Sequence, residues 1–193
     1  DVCSSDLNSN LGAPDNIIDN FIEKVKKITE EDRVKEFVIF TSCDAWGEQA
    51  EYIRHGLEFN RFWNNVNKIL DQCKKVTLTF MVTYNALSVF SFNQLLKGVY
   101  DLKNTYGSKN RYWDSAVFLD TSYLRYPFHQ SVQVLPHQFS NYVLEQAINA
   151  EFMGTLEFSK EYIGYTDIEV QKIKRTYDWM ISDQIAENQM RHR

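Results

Sequence analysis

Short apolar runs set between longer amphipathic stretches are the feature that most constrains this chain. Phe37-Val38-Ile39-Phe40, Val76 to Thr83 and Ala116-Val117-Phe118-Leu119 are too short for helices and rich in β-branched and aromatic residues. Such runs mark strands buried on both faces. Between them, apolar residues return every three or four positions. Ile17, Ile18, Phe21, Ile22, Val25 and Ile28 lie on one face of a helix predicted from about Pro14 to Thr29, with Pro14 in its first turn. A helical stretch is expected over Ala45 to Gly56, and Phe59, Phe62, Trp63, Val66, Ile69 and Leu70 form the next stripe, ending at Cys73-Lys74-Lys75. Val89, Phe92, Leu95, Leu96, Val99 and Leu102 form another, closed near Gly107, where a left-handed residue is expected. Beyond Pro136, the residues Phe139, Val143, Leu144, Ala147 and Ile148 mark a further helix. Thr166 with Glu169 three positions later is a capping box that opens the last one, through Ile173, Tyr177 and Met180.

Strands alternating with helices of this length call for right-handed crossovers and a parallel sheet with helices packed on it, so the fold class is α/β. Three βα units alone make a thin sheet with exposed edges, and the chain therefore reads as part of a larger α/β domain. Ligands of such sheets bind beyond the carboxyl ends of the strands. That draws attention to Thr41 to Asp44, Thr83 to Asn85 and Asp120 to Leu124.

Composition excludes several classes. With 7 Gly and 3 Pro in 193 residues the chain is neither collagenous nor a Pro/Gly-rich disordered segment, and 44% hydrophobic residues are enough for a core. Its 21 basic residues are interspersed among 26 acidic ones, for a net charge of -5, without the clustered cations of a dedicated nucleic-acid binder. Membrane insertion is not expected, because the most apolar run, Val76 to Val82, is interrupted by Thr77 and Thr79. Cys3, Cys43 and Cys73 stand at no CxxC or metal-ligand spacing, so they form no disulfide framework and favour a reducing, cytoplasmic setting. By themselves these thiols hold neither zinc nor an iron-sulfur cluster. Asp1 to Leu7 is what the frame GAC GTG TGC TCT TCC GAT CT encodes, which resembles the end of a common sequencing-library adapter. These seven residues are therefore expected to be non-native, with the natural reading beginning near Asn8 inside a longer gene.

The richest stretch chemically is Phe40-Thr41-Ser42-Cys43-Asp44-Ala45-Trp46-Gly47, followed by Tyr52-Ile53-Arg54. A hydroxyl and a carboxylate at a strand end can bond a ligand's polar groups, and Arg54 offers a fork for a carboxylate. The plainer alternative is that Ser42 or Asp44 caps the next helix while Arg54 pairs with Glu51 or Glu58. After the third run, Arg125-Tyr126-Pro127-Phe128-His129-Gln130 supplies an anion clamp, Arg125, and a proton carrier, His129, for a substrate pocket; an aromatic loop packing the rim is the alternative. Cys43 reads as a small buried side chain, the scattered His55, His137 and His192 as surface residues, and Phe59, Phe62 and Trp63 as core.

A strand, Ser42-Cys43-Asp44, a helix carrying Arg54, the aromatic Phe62 and then Asn65-Val66-Asn67-Lys68-Ile69-Leu70 resemble the fourth strand and helix of radical S-adenosylmethionine enzymes, in their SPASM/twitch branch. Val76 to Asn85 resembles their fifth strand, Ala116 to Leu124 the sixth, and Asn8-Ser9-Asn10-Leu11 the end of the third. The resemblance spans most of Asn8 to Asp183 and implies the carboxyl-terminal half to two-thirds of a partial (βα)6 barrel over residues 8–135, with 136–193 leading to a twitch region. It implies that Ser42 and Arg54 face the methionyl carboxylate of S-adenosylmethionine, with Asp44 beside them, Asn10 and Asn85 near the ribose and methionine, and Leu124 near the adenine. The family's Gly after the Asp is Ala45 here, with Gly displaced to Gly47. The CxxxCxxC loop of the 4Fe-4S cluster and the Gly-Gly-Glu segment that holds the cofactor's amino group would lie upstream of Asn8, and auxiliary-cluster cysteines downstream of Arg193. Implied partners are a small-molecule or peptide substrate and an electron donor for the parent enzyme. A non-catalytic α/β interaction domain and an unrelated barrel enzyme are the competing expectations.

Overall fold

The apolar runs do become strands, and they add up to one parallel sheet in the computed structural model, which describes residues 5–107, 115–154 and 164–182. Strand β1 (Ser5–Asn8) is followed by helix α1 (Asp15–Glu30), β2 (Phe37–Ser42) by α2 (Glu48–Ile53) and α3 (Phe59–Gln72), and β3 (Val76–Tyr84) by α4 (Phe92–Tyr106). After β4 (Val117–Tyr123) come three 3-10 turns, then α5 (Ser140–Gly154) and α6 (Asp167–Ile181). The strands lie side by side in chain order, β1-β2-β3-β4, every pair parallel. Each crossover therefore moves one strand in the same direction, and α1 packs on α3 and α3 on α4 along one face of the sheet. This winding fits part of an α/β barrel, whereas a doubly wound sheet reverses its strand order.

Register assigns the two faces. Ile39 pairs with Leu78 and Phe80 with Leu119, and these side chains are buried beneath the helices together with Phe62, Ile69, Leu70, Leu95 and Leu96. On the other face Asn8, Phe40, Thr79 and Phe118 run across the sheet in register and are half-buried or exposed, as is Met81. The three central apolar runs thus bury one face well and leave the second open among the described residues.

Several boundaries differ from the sequence expectation, each for a local reason. The chain leaves β1 at Asn8 rather than near Leu11, because the Leu11 N–H donates to Ser9 Oγ at 3.1 Å and the Gly12 N–H to Asn10 Oδ1 at 3.2 Å, bending the backbone. Ser5 to Leu7, expected to be non-native, take part in β1, paired with Phe37 to Ile39; ladder bonds are main-chain bonds and accept any side chain but proline's. Residues 1–4, with Cys3, and His192 lie outside the described residues. The helix expected over Ala45 to Gly56 shrinks to α2, bracketed by Gly47 at φ 59° and Gly56 at φ 85°, both in the left-handed region that favours glycine. Gly107 does not adopt the expected left-handed cap: its φ of -43° and ψ of 174° lead the chain out of α4 in an extended direction. The strands β2 and β4 run two and four residues beyond the apolar runs, through the polar residues Ser42 and Tyr123, because pairing with β3 continues there.

The two sheet edges are treated differently. Glu169, the N3 residue of the expected capping box, accepts the N–H of Thr166 on Oε2 at 2.7 Å and that of Leu119, in β4, on Oε1 at 2.8 Å. The buried Lys103 Nζ completes the carboxylate's shell at 2.9 Å, and burial pulls the Lys103 ammonium below its ordinary pKa while Glu169 opposes the shift. α6 therefore closes the outer edge of β4. β1 pairs with β2 alone among the described residues.

Candidate functional site

The carboxyl ends of β2, β3 and β4 sit side by side, and the residues singled out in the sequence gather there in part. Asp44 follows β2 by two residues and is buried. Its Oδ1 accepts the N–H of Thr83 on β3 at 2.7 Å, and its Oδ2 lies 2.8 Å from Nε of Arg54, at the C-terminal end of α2. The Arg54 Nε–H meets no acceptor in line, so that contact is ionic rather than a well-aligned hydrogen bond. Asp44 does not cap α2, whose N-cap is Gly47. Nor does Arg54 pair with Glu51 or Glu58: Glu51 accepts the Phe59 N–H at 2.7 Å and Glu58 pairs with Arg61. The plain surface-pair alternative is thereby replaced by a tie between the β2 loop, α2 and β3.

Arg54 is one-third exposed in its side chain, and its terminal nitrogens bond no other group among the described residues. Ser42 ends β2 on the open face of the sheet, half-buried and with its hydroxyl unpaired among those residues. Each group keeps a free donor among the described residues. Cys43, between Ser42 and Asp44, is fully buried and donates its Sγ–H to the Ala45 carbonyl at 3.1 Å. Burial pushes its thiol up to about 12, the opposite of what a nucleophilic cysteine needs.

Asn85 and Asn10 are engaged in turns. Asn85 Oδ1 accepts the Leu87 N–H at 2.9 Å and Nδ2 donates to the Thr83 carbonyl at 3.0 Å, while Asn10 is exposed in the loop after β1. Leu124 is half-buried, its N–H on the Tyr84 carbonyl at 2.8 Å, which ties the end of β4 to that of β3. Arg125 is exposed just beyond, and His129 is exposed on the 3-10 turn Phe128–Gln130 without a hydrogen bond to Arg125. His55 and His137 are exposed, and Phe59, Phe62 and Trp63 form an aromatic cluster with Trp46, whose ring lies 4.6 Å from that of Trp63. Trp46 settles against α4 at Gly98, where any Cβ would overlap its indole.

Trp179 and Gln133 take part in the same end of the molecule, beside Tyr123 from the stretch Asp120 to Leu124, and no sequence pattern singles them out. Trp179 sits in the last turn of α6, and nothing in its spacing reveals that it meets β4. Among the described residues no group of three or more His, Cys, Asp or Glu side chains is arranged to hold a metal, and no helix is long and apolar enough to cross a membrane. Comparison of the chain with protein-family models, with curated proteins and with solved structures found no match.

Proposed function

We propose that the chain is a segment of a radical S-adenosylmethionine enzyme, carrying the end of the third strand and the fourth to sixth strands of its partial barrel. The parent enzyme would cleave the cofactor reductively to a 5'-deoxyadenosyl radical that takes a hydrogen atom from a small-molecule or peptide substrate. One observation carries most weight beside the sequence resemblance. The sheet is wound in chain order, closed by α6 at β4 and unpaired at β1 among the described residues, so further strands would be added on the β1 side alone. That is where the first two strands of a partial barrel belong.

The donor set at the strand ends fits the amino-acid part of the cofactor. Arg54 would hold its carboxylate, oriented by Asp44, with Ser42 as a second donor. Asp44 itself is spent on Arg54 and Thr83, so its part is to position Arg54. Asn85 would act through the backbone turn that it makes after β3. An iron-sulfur cluster does not fit the residues described here, since Cys43 and Cys73 are both buried and no metal-holding group forms. In this proposal the cluster's ligands come from another part of the parent enzyme, and the present segment alone forms no 5'-deoxyadenosine.

In the parent enzyme, Arg54→Ala is expected to weaken binding of S-adenosylhomocysteine by about tenfold or more, the value of a charge-assisted bond. Unchanged affinity would overturn the role of Arg54. A genomic copy that continues upstream of residue 8 without a CxxxCxxC run would overturn the family assignment. A second proposal, a non-catalytic α/β interaction domain, is favoured by the internal satisfaction of Asp44 and Asn85; it predicts that Arg54→Ala changes stability and nothing else.

A further inference from the structure

Tyr123 ends β4, and its ring stacks on that of Trp179 from α6, with centroids 4.9 Å apart and planes 14° from parallel. Arg125 lays its guanidinium against both, 5.2 Å from the Tyr123 centroid and 5.5 Å from that of Trp179. Its Nη2–H donates to the Tyr123 hydroxyl at 2.9 Å. That acceptor is neutral. Asp120, the carboxylate on the same strand, is taken by Lys172 Nζ at 2.7 Å, and no carboxylate pairs with Arg125 among the described residues. An exposed guanidinium is thus held beside two rings and by one hydrogen bond while no carboxylate compensates its charge among the described residues, in a chain whose net charge is -5.

The platform beneath it is fixed from behind. Trp179 Nε1–H donates to Ser131 Oγ at 3.2 Å, and Gln133 Nε2 donates to the Trp179 carbonyl at 2.7 Å and to Ser182 Oγ at 2.8 Å. α6 and the loop after β4 are therefore locked together around the stack. Parallel strands stand about 4.8 Å apart, so the ends of β2 and β4 are separated by about 10 Å. The bond from Leu124 N–H to the Tyr84 carbonyl keeps the residue before Arg125 at the end of β3.

We propose that Arg125, held on the Tyr123–Trp179 platform, is an oxyanion receptor that takes the carboxylate or phosphate group of a ligand lying across the carboxyl ends of β3 and β4. A planar fork restricted to one orientation loses little freedom on forming two parallel hydrogen bonds, which is why arginine suits such groups. The stacked rings supply that restriction, and the neutral Tyr123 hydroxyl supplies it without cancelling the charge. The proposal is independent of any cofactor at Arg54, so either can fail alone.

The test is an NMR titration of the isotope-labelled 193-residue chain with inorganic phosphate and, separately, acetate, at constant ionic strength. Saturable shifts of the Arg125 Nε–H and Trp179 Nε1–H resonances in the millimolar range are expected. A stronger response to phosphate identifies a phosphate ligand, and a stronger response to acetate a carboxylate. Arg125→Lys, which keeps the charge and loses the fork, should weaken binding about tenfold, and Arg125→Met should abolish it. Tyr123→Phe, which removes the orienting hydroxyl alone, should weaken it several-fold. Shifts that grow without saturating, that chloride reproduces, or that persist in Arg125→Met would overturn the proposal, leaving Arg125 as a clamp for α6 only.

Discussion

Asp44 joins three elements through one buried carboxylate, and Asp44→Ala would remove all of that at once. The bond it accepts from the Thr83 N–H is charge-assisted and contributes about 1.5–3 kcal/mol. The ion pair adds no more than about 1 kcal/mol, because the Arg54 side chain is one-third exposed and its Nε–H is out of line. Asp44→Ala should therefore cost about 2–4 kcal/mol in urea unfolding followed by circular dichroism. Asp44→Asn keeps an acceptor for Thr83 and loses the charge, for a cost of about 1–2 kcal/mol. Arg54→Ala should cost about 1 kcal/mol, and nothing further in the Asp44→Ala background. A loss below about 1 kcal/mol for Asp44→Ala, or equal losses for Ala and Asn, would refute the account of Asp44 as a tie rather than a bystander.

Gly98→Ala places a Cβ inside the Trp46 indole and 3.0 Å from Trp63 Cζ2, so it should destabilise by about 1–3 kcal/mol despite alanine's better helix propensity, with Trp46→Leu partly restoring stability in a double variant. Cys43 and Cys73 should resist alkylation in the native chain and react on unfolding. Between pH 9 and about 12 an unfolded chain ionises Cys43 while the folded one keeps its proton, so stability intact below pH 9 should decline across that window, by up to about 4 kcal/mol relative to Cys43→Ala; a decline identical in the variant would remove the thiol as its cause. Thr41→Val replaces a buried hydroxyl that has no partner among the described residues and should leave stability unchanged or raise it by about 1 kcal/mol in the same urea assay.

Much of the architecture is legible from periodicity because α1, α3 and α4 each pack one face on the sheet and expose the other. Ile18, Ile22 and Val25 are buried in α1, and Phe62, Val66 and Ile69 in α3, as their spacing requires. The same logic misses β1. Ser5 to Asn8 is polar but for Leu7, which packs on the core, and half of it is exposed; main-chain bonds to β2, not a hydrophobic run, mark it as a strand. It also understates β4, whose last residues pair with β3 while carrying polar side chains. Periodicity likewise places Arg54 on a helix after β2 but not its partner, which depends on Gly47 turning the chain so that α2 starts three residues after Ala45.

Glu169 illustrates where local sequence signals stop. Its spacing from Thr166 announces a capping box, and that box forms, yet the same carboxylate also caps a strand fifty residues away in sequence and neutralises a buried lysine. Breaking one partner should expose this double duty. Lys103→Met leaves a buried carboxylate with N–H donors but no counter-charge, for a loss of about 3–5 kcal/mol. Adding Glu169→Gln removes the stranded charge and keeps an amide oxygen for the backbone, so the double variant should be more stable than Lys103→Met alone in urea unfolding. If the double variant were the less stable of the two, Glu169 would be holding α6 to β4 by its backbone bonds and not through Lys103. The edge of the sheet would then depend on the bond from the Leu119 N–H to Glu169 by itself, and the buried lysine would have no part in closing it.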